Sequence, residues 1–308
     1  MASRSFTRRL IEISFKLAND TKTNQPVKFS ESGTDTASIS DKRISVRIQN
    51  SGAPAGSTAS VDIFGLSESL MNQLSTLGMV FNMVPKNTIT IQAGDEEVGL
   101  STVFVGTVMS GYADYNQAPN VPFHIEANSI LADAVVPATA TSYKGSTAVA
   151  DIMAGFARIM GLTFENSGVD TKLSNPYFAG NIRTQMRTCA EQANINAEIV
   201  EGSILAIWPK GGSRNAKGEI PLIGPQTGMI LYPAYTQQGI MLRTLFDPKI
   251  TFGGLVKVES RVKAVADVGQ WAVNQLNLAL DAQVPKGKWE AIIAAYNPKY
   301  PKPLPRQA

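Results

Sequence analysis

Acid–base and nucleophilic chemistry needs a base, a nucleophile and an orienting group held close together, and few residues of this chain qualify. The single histidine, His124, lies in Val121-Pro122-Phe123-His124-Ile125. In a strand it faces away from Phe123 and Ile125, and any Ser-His-Asp triad would have to use it. The Gly-x-Ser-x-Gly signature of an exposed nucleophile occurs around none of the serines. With one histidine and one cysteine, Cys189, a tetrahedral zinc site would depend on carboxylates. Cys189 sits on the apolar stripe of a helical pattern and reads as a small buried hydrophobe. Gly94-Asp95-Glu96-Glu97 is acidic but lacks the spaced oxygens of a calcium loop, so it reads as a hairpin tip. Gly253-Gly254 separates two strand patterns, where a phosphate loop would join a strand to a helix, and it reads as a hairpin turn. Paired carboxylates of the glycosidase kind stay open, because their separation is a three-dimensional quantity. Trp208, Trp271 and Trp289 would give a sugar-binding module its stacking platforms, but at strand ends they read more simply as core plugs. These residues define no catalytic centre and imply no cofactor or metal.

The bulk composition points the same way. A chain of 308 residues implies two or three domains, each with its own core. Hydrophobic residues make up 44% and charged residues 17%, and a charged fraction this low suggests large surfaces covered by something other than water. The 28 Lys and Arg against 25 Asp and Glu leave +3. A nucleic-acid footprint needs clustered positive charge, and beyond Arg4, Arg8 and Arg9, which read as a solvated arm, none is visible. One cysteine allows no internal disulfide, which fits a reducing cytosol. The start of the chain lacks an apolar signal core, and no apolar stretch reaches the ~20 residues of a membrane helix, so neither secretion nor a membrane anchor is expected.

The elements that must position these residues are mostly strands. Ile11, Ile13, Phe15 and Leu17 alternate in period two, as do Ile44, Val46 and Ile48, then Val61 and Ile63, then Ile89, Ile91 and Ala93. Val103 to Met109 and Val121 to Ile125 continue the series, with turn-rich pieces such as Asn50 to Gly56 between them. A barrel or sandwich over residues 5–127 follows, interrupted by a short helix at Ser67 to Leu77. The period then changes. Val149, Ile152, Met153, Phe156, Ile159 and Met160 predict an amphipathic helix, capped by Ser146 or Thr147 and closed by Gly161. A second helix carries Ile182, Met186, Cys189 and Ala193, with Asn181 as its cap, and two strands joined at Glu201-Gly202 follow. Residues 128–212 therefore read as a small two-helix α+β domain.

The run Lys210 to Asn215 reads as a domain junction. Ile240 to Leu245, Leu255 to Ser260, Trp271 to Leu280 and Trp289 to Ala295 then predict a second all-β barrel over residues 213–296. From 297 to 308 proline recurs too often for a ladder, so this is an extended arm, either solvated or laid on a neighbouring subunit. In the latter case Tyr296, Tyr300 and Pro301 are the candidate interface residues, since the tyrosines would otherwise be exposed. The fold class expected is mainly β: two barrels flanking an α+β insert.

Several phrases, in this order, resemble the baseplate hub proteins of contractile-tailed bacteriophages and prophages. They are Val61-Asp62-Ile63-Phe64-Gly65-Leu66-Ser67, Ile91-Gln92-Ala93-Gly94-Asp95 and Val103-Phe104-Val105-Gly106 in the first barrel. Gly145 to Ile152, leading to Met160-Gly161-Leu162, is similar to the insert of late-control hubs. Gly239 to Pro248, then Val256-Lys257-Val258-Glu259-Ser260 and Pro285-Lys286-Gly287-Lys288-Trp289-Glu290, resembles the second hub barrel. The resemblance covers nearly the whole chain. It implies a structural, non-enzymatic homotrimer whose six barrels form a ring, a symmetry adaptor between the hexameric tail tube and the trimeric central spike. Other baseplate proteins would be further partners, DNA would meet it only in transit through the channel, and any cell-wall cutting would belong to another chain. The expected location is the virion tail baseplate, and the host cytoplasm during assembly. The competing classes are a β-sandwich carbohydrate-binding module and a cell-wall hydrolase of a tail.

Overall fold

Alternation in period two is visible directly in burial. In the strand Arg9–Lys16, Ile11, Ile13 and Phe15 are buried while their neighbours are not, and Ile44, Val46 and Ile48 repeat the pattern in Ile44–Asn50. The computed structural model describes residues 7–20, 23, 25–29, 32–50, 52, 56–76, 87–129, 138–200, 202–214 and 219–298. It is mainly antiparallel β with four helices, and contacts divide it into two compact units.

The first unit takes residues 1–49, 57–132 and 278–289. Its elements are β1 (Arg9–Lys16), β2 (Thr36–Ile39), β3 (Ile44–Asn50), β4 (Ser57–Phe64), α1 (Glu68–Leu74), β5 (Thr88–Asp95), β6 (Gly99–Ala113) and β7 (Pro122–Asn128). From β3 the hydrogen-bonded order runs β3, β4, β7, β6, β5, β1, β2. Ile13, Ile63, Ile89, Ile91 and Phe123 are wholly buried on one side of this sheet. Each such side chain contributes about 1.5–3 kcal/mol relative to exposure. Ser67 caps α1 by accepting from the Leu70 amide, and the helix stops at Leu74, short of the predicted Leu77.

The second unit takes residues 50–56, 133–277 and 290–308. It begins with β8 (Thr141–Ser142), β9 (Ser146–Ala148), α2 (Val149–Ile159), β10 (Thr163–Asn166), β11 (Lys172–Ser174), β12 (Tyr177–Phe178), α3 (Ile182–Ala193), β13 (Ile195–Val200) and β14 (Ile204–Pro209). It continues with β15 (Leu222–Ile223), β16 (Met229–Thr236), β17 (Gly239–Leu245), β18 (Leu255–Val258), α4 (Lys263–Ala266), β19 (Gln270–Ala282) and β20 (Trp289–Tyr296). The last five residues of β19 and the first of β20 count with the first unit. Helices α2 and α3 pack on the sheet β10–β14–β13, with Phe156 and Phe178 edge to face at 5.9 Å and Cys189 fully buried between apolar neighbours. The remaining strands pair in the order β16, β17, β20, β19, and β18 joins β19 at residues 255–257.

Among the described residues no pairing closes either strand path on itself, so the strands are seen as open paths and not as two closed barrels. β2 is four residues long and pairs with β1 alone, while β16 pairs with β17 alone. The predicted caps Ser146 and Thr147 are instead spent in β9, paired with Ser174 and Leu173, so α2 starts at Ala148 without a side-chain cap. On that helix Ile159 is 65% exposed, because ten residues on from Val149 the 3.6-residue turn has carried it about 80° off the apolar stripe. Finally, Gly253-Gly254 is no hairpin tip, since β17 and β18 are not partners. Gly253 has φ 77°, and a Cβ there would stand 2.9 Å from the Trp208 ring, so the position needs glycine for both conformation and space. Other details hold: Asn181 accepts from Thr184 N at 2.8 Å to cap α3, and Gly161 adopts φ 69° after α2.

The run read as a junction holds a buried ion pair. Arg214 Nε and Nη2 donate to the two carboxylate oxygens of Glu165 at 3.0 and 2.9 Å, with both side chains more than nine-tenths buried. Ser167 Oγ donates to the same carboxylate at 3.2 Å, and Arg214 N donates to Gly253 O at 2.8 Å. A buried pair of this kind is fragile to loss of one member. Arg214→Met is expected to cost about 3–5 kcal/mol by urea denaturation, whereas Arg214→Met with Glu165→Met recovers most of it. Wild-type stability in the single variant would contradict the assignment.

Cys189 offers an independent check on the helical core. Burial pushes its thiol up to about 12, so at pH 8 it is both protonated and enclosed. Iodoacetamide should leave the native chain unmodified while labelling the urea-unfolded chain fully, read as a mass shift. Rapid labelling without denaturant would mean that α3 opens readily.

Candidate assembly surface

Of the three residues assigned to an interface from sequence, the structure places one. Tyr296 closes β20 and is 7% exposed, not the exposed aromatic expected; its hydroxyl donates to Gly212 O, and burial raises its pKa. The aromatic ring thus packs within its own unit. Tyr300 and Pro301 lie outside the described residues.

His124 faces away from the core as expected, and its Nδ1 is 2.6 Å from Asp62 Oδ1 on the neighbouring strand. On its other side Tyr112 brings its ring to 5.1 Å from the imidazole. An Asp–His couple can polarise a hydroxyl, but here it stands on a sheet face with an aromatic ring in the adjoining position. The acidic turn joins β5 to β6, and Asp95 Oδ1 accepts from the amides of Glu97 and Val98, so it organises its own hairpin tip. Trp208 and Trp271 are 3% and 5% exposed, out of reach of a stacking sugar, and Trp289 is half-buried with the Arg9 guanidinium 5.6 Å from its ring centroid.

The surface that the sequence reading missed is β16. It is the end of its sheet path, and Leu231, Tyr232 and Tyr235 are 62%, 54% and 63% exposed. Tyr235 pairs with Ile240 and so faces the buried side, yet no described strand lies beyond it to cover the ring. On the outer face the register aligns Leu231 with Arg243 and Arg243 with Ile292, and Met241 stands beside them. Leu231, Met241 and Ile292 therefore share one exposed apolar face, crossed by an ion pair in which Arg243 Nε donates to Glu290 Oε2 at 2.7 Å. A groove of about 470 Å³ adjoins it, lined by uncharged residues including Gln238, Met241, Asn274 and Ala294. The signal was available: Met229-Ile230-Leu231-Tyr232 is strongly apolar. Pro233 and two register shifts break its alternation, which is how an edge strand differs from a core one.

Exposed apolar edges are in general the kind of surface that protein association covers. Comparison with known proteins agrees in kind. A family model described as baseplate hub gp41 matches residues 27–284. Among solved structures the chain is similar to the tail protein from Neisseria meningitidis MC58, with TM-score 0.58 and 7% identity over 92% of this chain and 96% of that one. It is also similar to the 43 kDa tail protein of prophage MuSo2 from Shewanella oneidensis, at 0.55 and 10% over 94% and 97%. A chain of a PdpA–VgrG complex matches at 0.52 and 9%, over 99% of this chain and 68% of that one. At such identities the structural likeness speaks for fold alone. No curated protein sequence matches the chain. With most of its length accounted for by the family model, the chain belongs to the baseplate hub gp41 family.

Proposed function

We propose that this chain is a structural, non-enzymatic virion subunit, the hub of a contractile-tail baseplate, and that it assembles as a homotrimer joining the hexameric tail tube to the trimeric spike. The exposed apolar edge of β16 carries the reading. Alone in water, such an edge presents unpaired backbone groups together with Leu231, Tyr232 and Tyr235, an arrangement that monomeric proteins avoid. Three copies, each with two all-β segments at residues 5–127 and 213–296 around the insert 128–212, offer six similar surfaces and so resolve a mismatch between threefold and sixfold neighbours. In that ring each open strand path meets a neighbour, and each segment behaves as a barrel. The arm, residues 297–308, lies on the next subunit through Tyr300 and Pro301, with buried Tyr296 as its root.

Tube, spike and other baseplate proteins are the partners, DNA passes only through the channel, and assembly takes place in the host cytoplasm. Burial of Trp208 and Trp271 weighs against the carbohydrate-binding alternative.

Native mass measurement should give a trimer, and Leu231→Asp combined with Tyr235→Lys should give a monomer with an unchanged circular dichroism spectrum. A wild-type chain that stays monomeric at every concentration, even with tube and spike proteins added, overturns the proposal.

A further inference from the structure

The outward face of β4, β7 and β6 is a second exposed surface, with different chemistry from the β16 edge. The register sets Asp62, His124 and Tyr112 in one row across the three strands, and Ser60, Glu126 and Ser110 in the next. Tyr112 is 54% exposed, and Tyr115, at the start of the 3₁₀ turn Tyr115–Gln117, is 55% exposed. Tyr112 is not loose, since its ring rests against an imidazole that Asp62 holds in place. Asp114 follows Tyr112 closely, and its carboxyl is held below the usual carboxylate range by hydrogen bonds, first from the Gln117 side chain and then from the Asn116 amide. At the margin of the face the Arg43 guanidinium is engaged 4.2 Å over the Phe64 ring. Two exposed tyrosines, of which Tyr112 is held against His124, bordered by Asp62, Glu126 and Asp114, make an aromatic platform with a negative rim.

We infer that this face is a docking site for a basic, proline-rich segment, and that its occupant is residues 299–308 of a neighbouring copy of this chain. That segment, Lys-Tyr-Pro-Lys-Pro-Leu-Pro-Arg-Gln-Ala, carries three cations and no acidic side chain, and its sign is opposite to that of the rim. Its three alternating prolines leave one edge of the segment without donors and favour the polyproline form, so it binds chiefly through side chains and carbonyls. Proline favours the polyproline helix, which turns once in three residues. Bound in that form, the segment would present Tyr300, Pro303 and Arg306 on one ridge, Pro301 and Leu304 on the next, and Lys299 and Lys302 on the third. The first two ridges fit exposed tyrosine rings, while the third sets two ammonium groups about 9 Å apart toward Asp62 and Glu126. Tyrosine hydroxyls can donate to the free carbonyls of such a helix, which is how aromatic grooves read proline-rich peptides generally.

This inference rests on the reading that the arm reaches another subunit, and full-length chains can test the two separately. Ser110→Cys, beside the platform, is made in one preparation and Gln307→Cys in another, so that both tyrosines and the prolines stay in place and Cys189 is too deeply buried to compete. Mixed and mildly oxidised, the two should form an interchain disulfide, seen as a doubled mass on a non-reducing gel. Lys299→Glu with Lys302→Glu in the arm-bearing partner, or raised salt, should lower the yield about tenfold. A trimer by native mass with no interchain disulfide sinks the docking site and leaves the trimer standing. If a Ser110→Cys/Gln307→Cys chain closes on itself at high dilution while the mixture gives nothing, the arm serves its own subunit and the neighbour assignment is wrong. A monomer with no crosslink removes both readings.

Discussion

A strand has two faces and two edges, and every backbone donor and acceptor on an edge needs a partner. That requirement organises this molecule more than any single contact. Inside each strand path it is met by neighbours, and the alternation of apolar residues then buries one face. At β16 it is not met within the described chain, and although Pro233 interrupts the strand, Leu231, Tyr232 and Tyr235 stand exposed along it. In the proposed assembly, contact with a neighbour would complete what folding leaves open at this edge.

The buried Arg214–Glu165 pair works at the opposite end of the scale. It ties the segment after β14 to β10, and through Arg214 N to Gly253, which in turn packs under Trp208 and beside Phe252. Desolvating two charges costs several kcal/mol per ion, and only the bidentate geometry and the Ser167 hydroxyl offset it. The outcome is a fixed arrangement in the region that carries no regular secondary structure, a matter of specificity more than of net stability.

How much of this was legible in the sequence follows from range. Ile11 to Phe15, Ile89 to Ala93 and the α3 cap at Asn181 are local patterns, and each reads correctly because the information lies within a few residues. Arg214 and Glu165 are 49 positions apart, and His124 and Asp62 are 62 apart. No local pattern joins them, so the first looked like a linker and the second like a lone histidine. The short strands β8, β9, β11 and β12, two or three residues each, are pairing events with too few residues to show a period. Tyr296 looked exposed for a related reason: a tyrosine beside a proline-rich tail is judged by its neighbours in sequence, while its burial depends on Gly212. Exposure at β16 is the hardest to foresee, since it reflects what lies beyond the last strand.

The discontinuous make-up of the first unit also sets a timetable. Its strand β3 lies next to β19, whose Leu278 to Ala282 belong to that unit although more than a hundred residues of the second unit are translated in between. On the ribosome, at about 5–20 residues per second, β7 is complete on the order of ten to thirty seconds before that partner emerges. During vectorial synthesis the flank of β3 therefore waits bare, and the N-terminal unit, although begun first, is completed only after most of the second has been made.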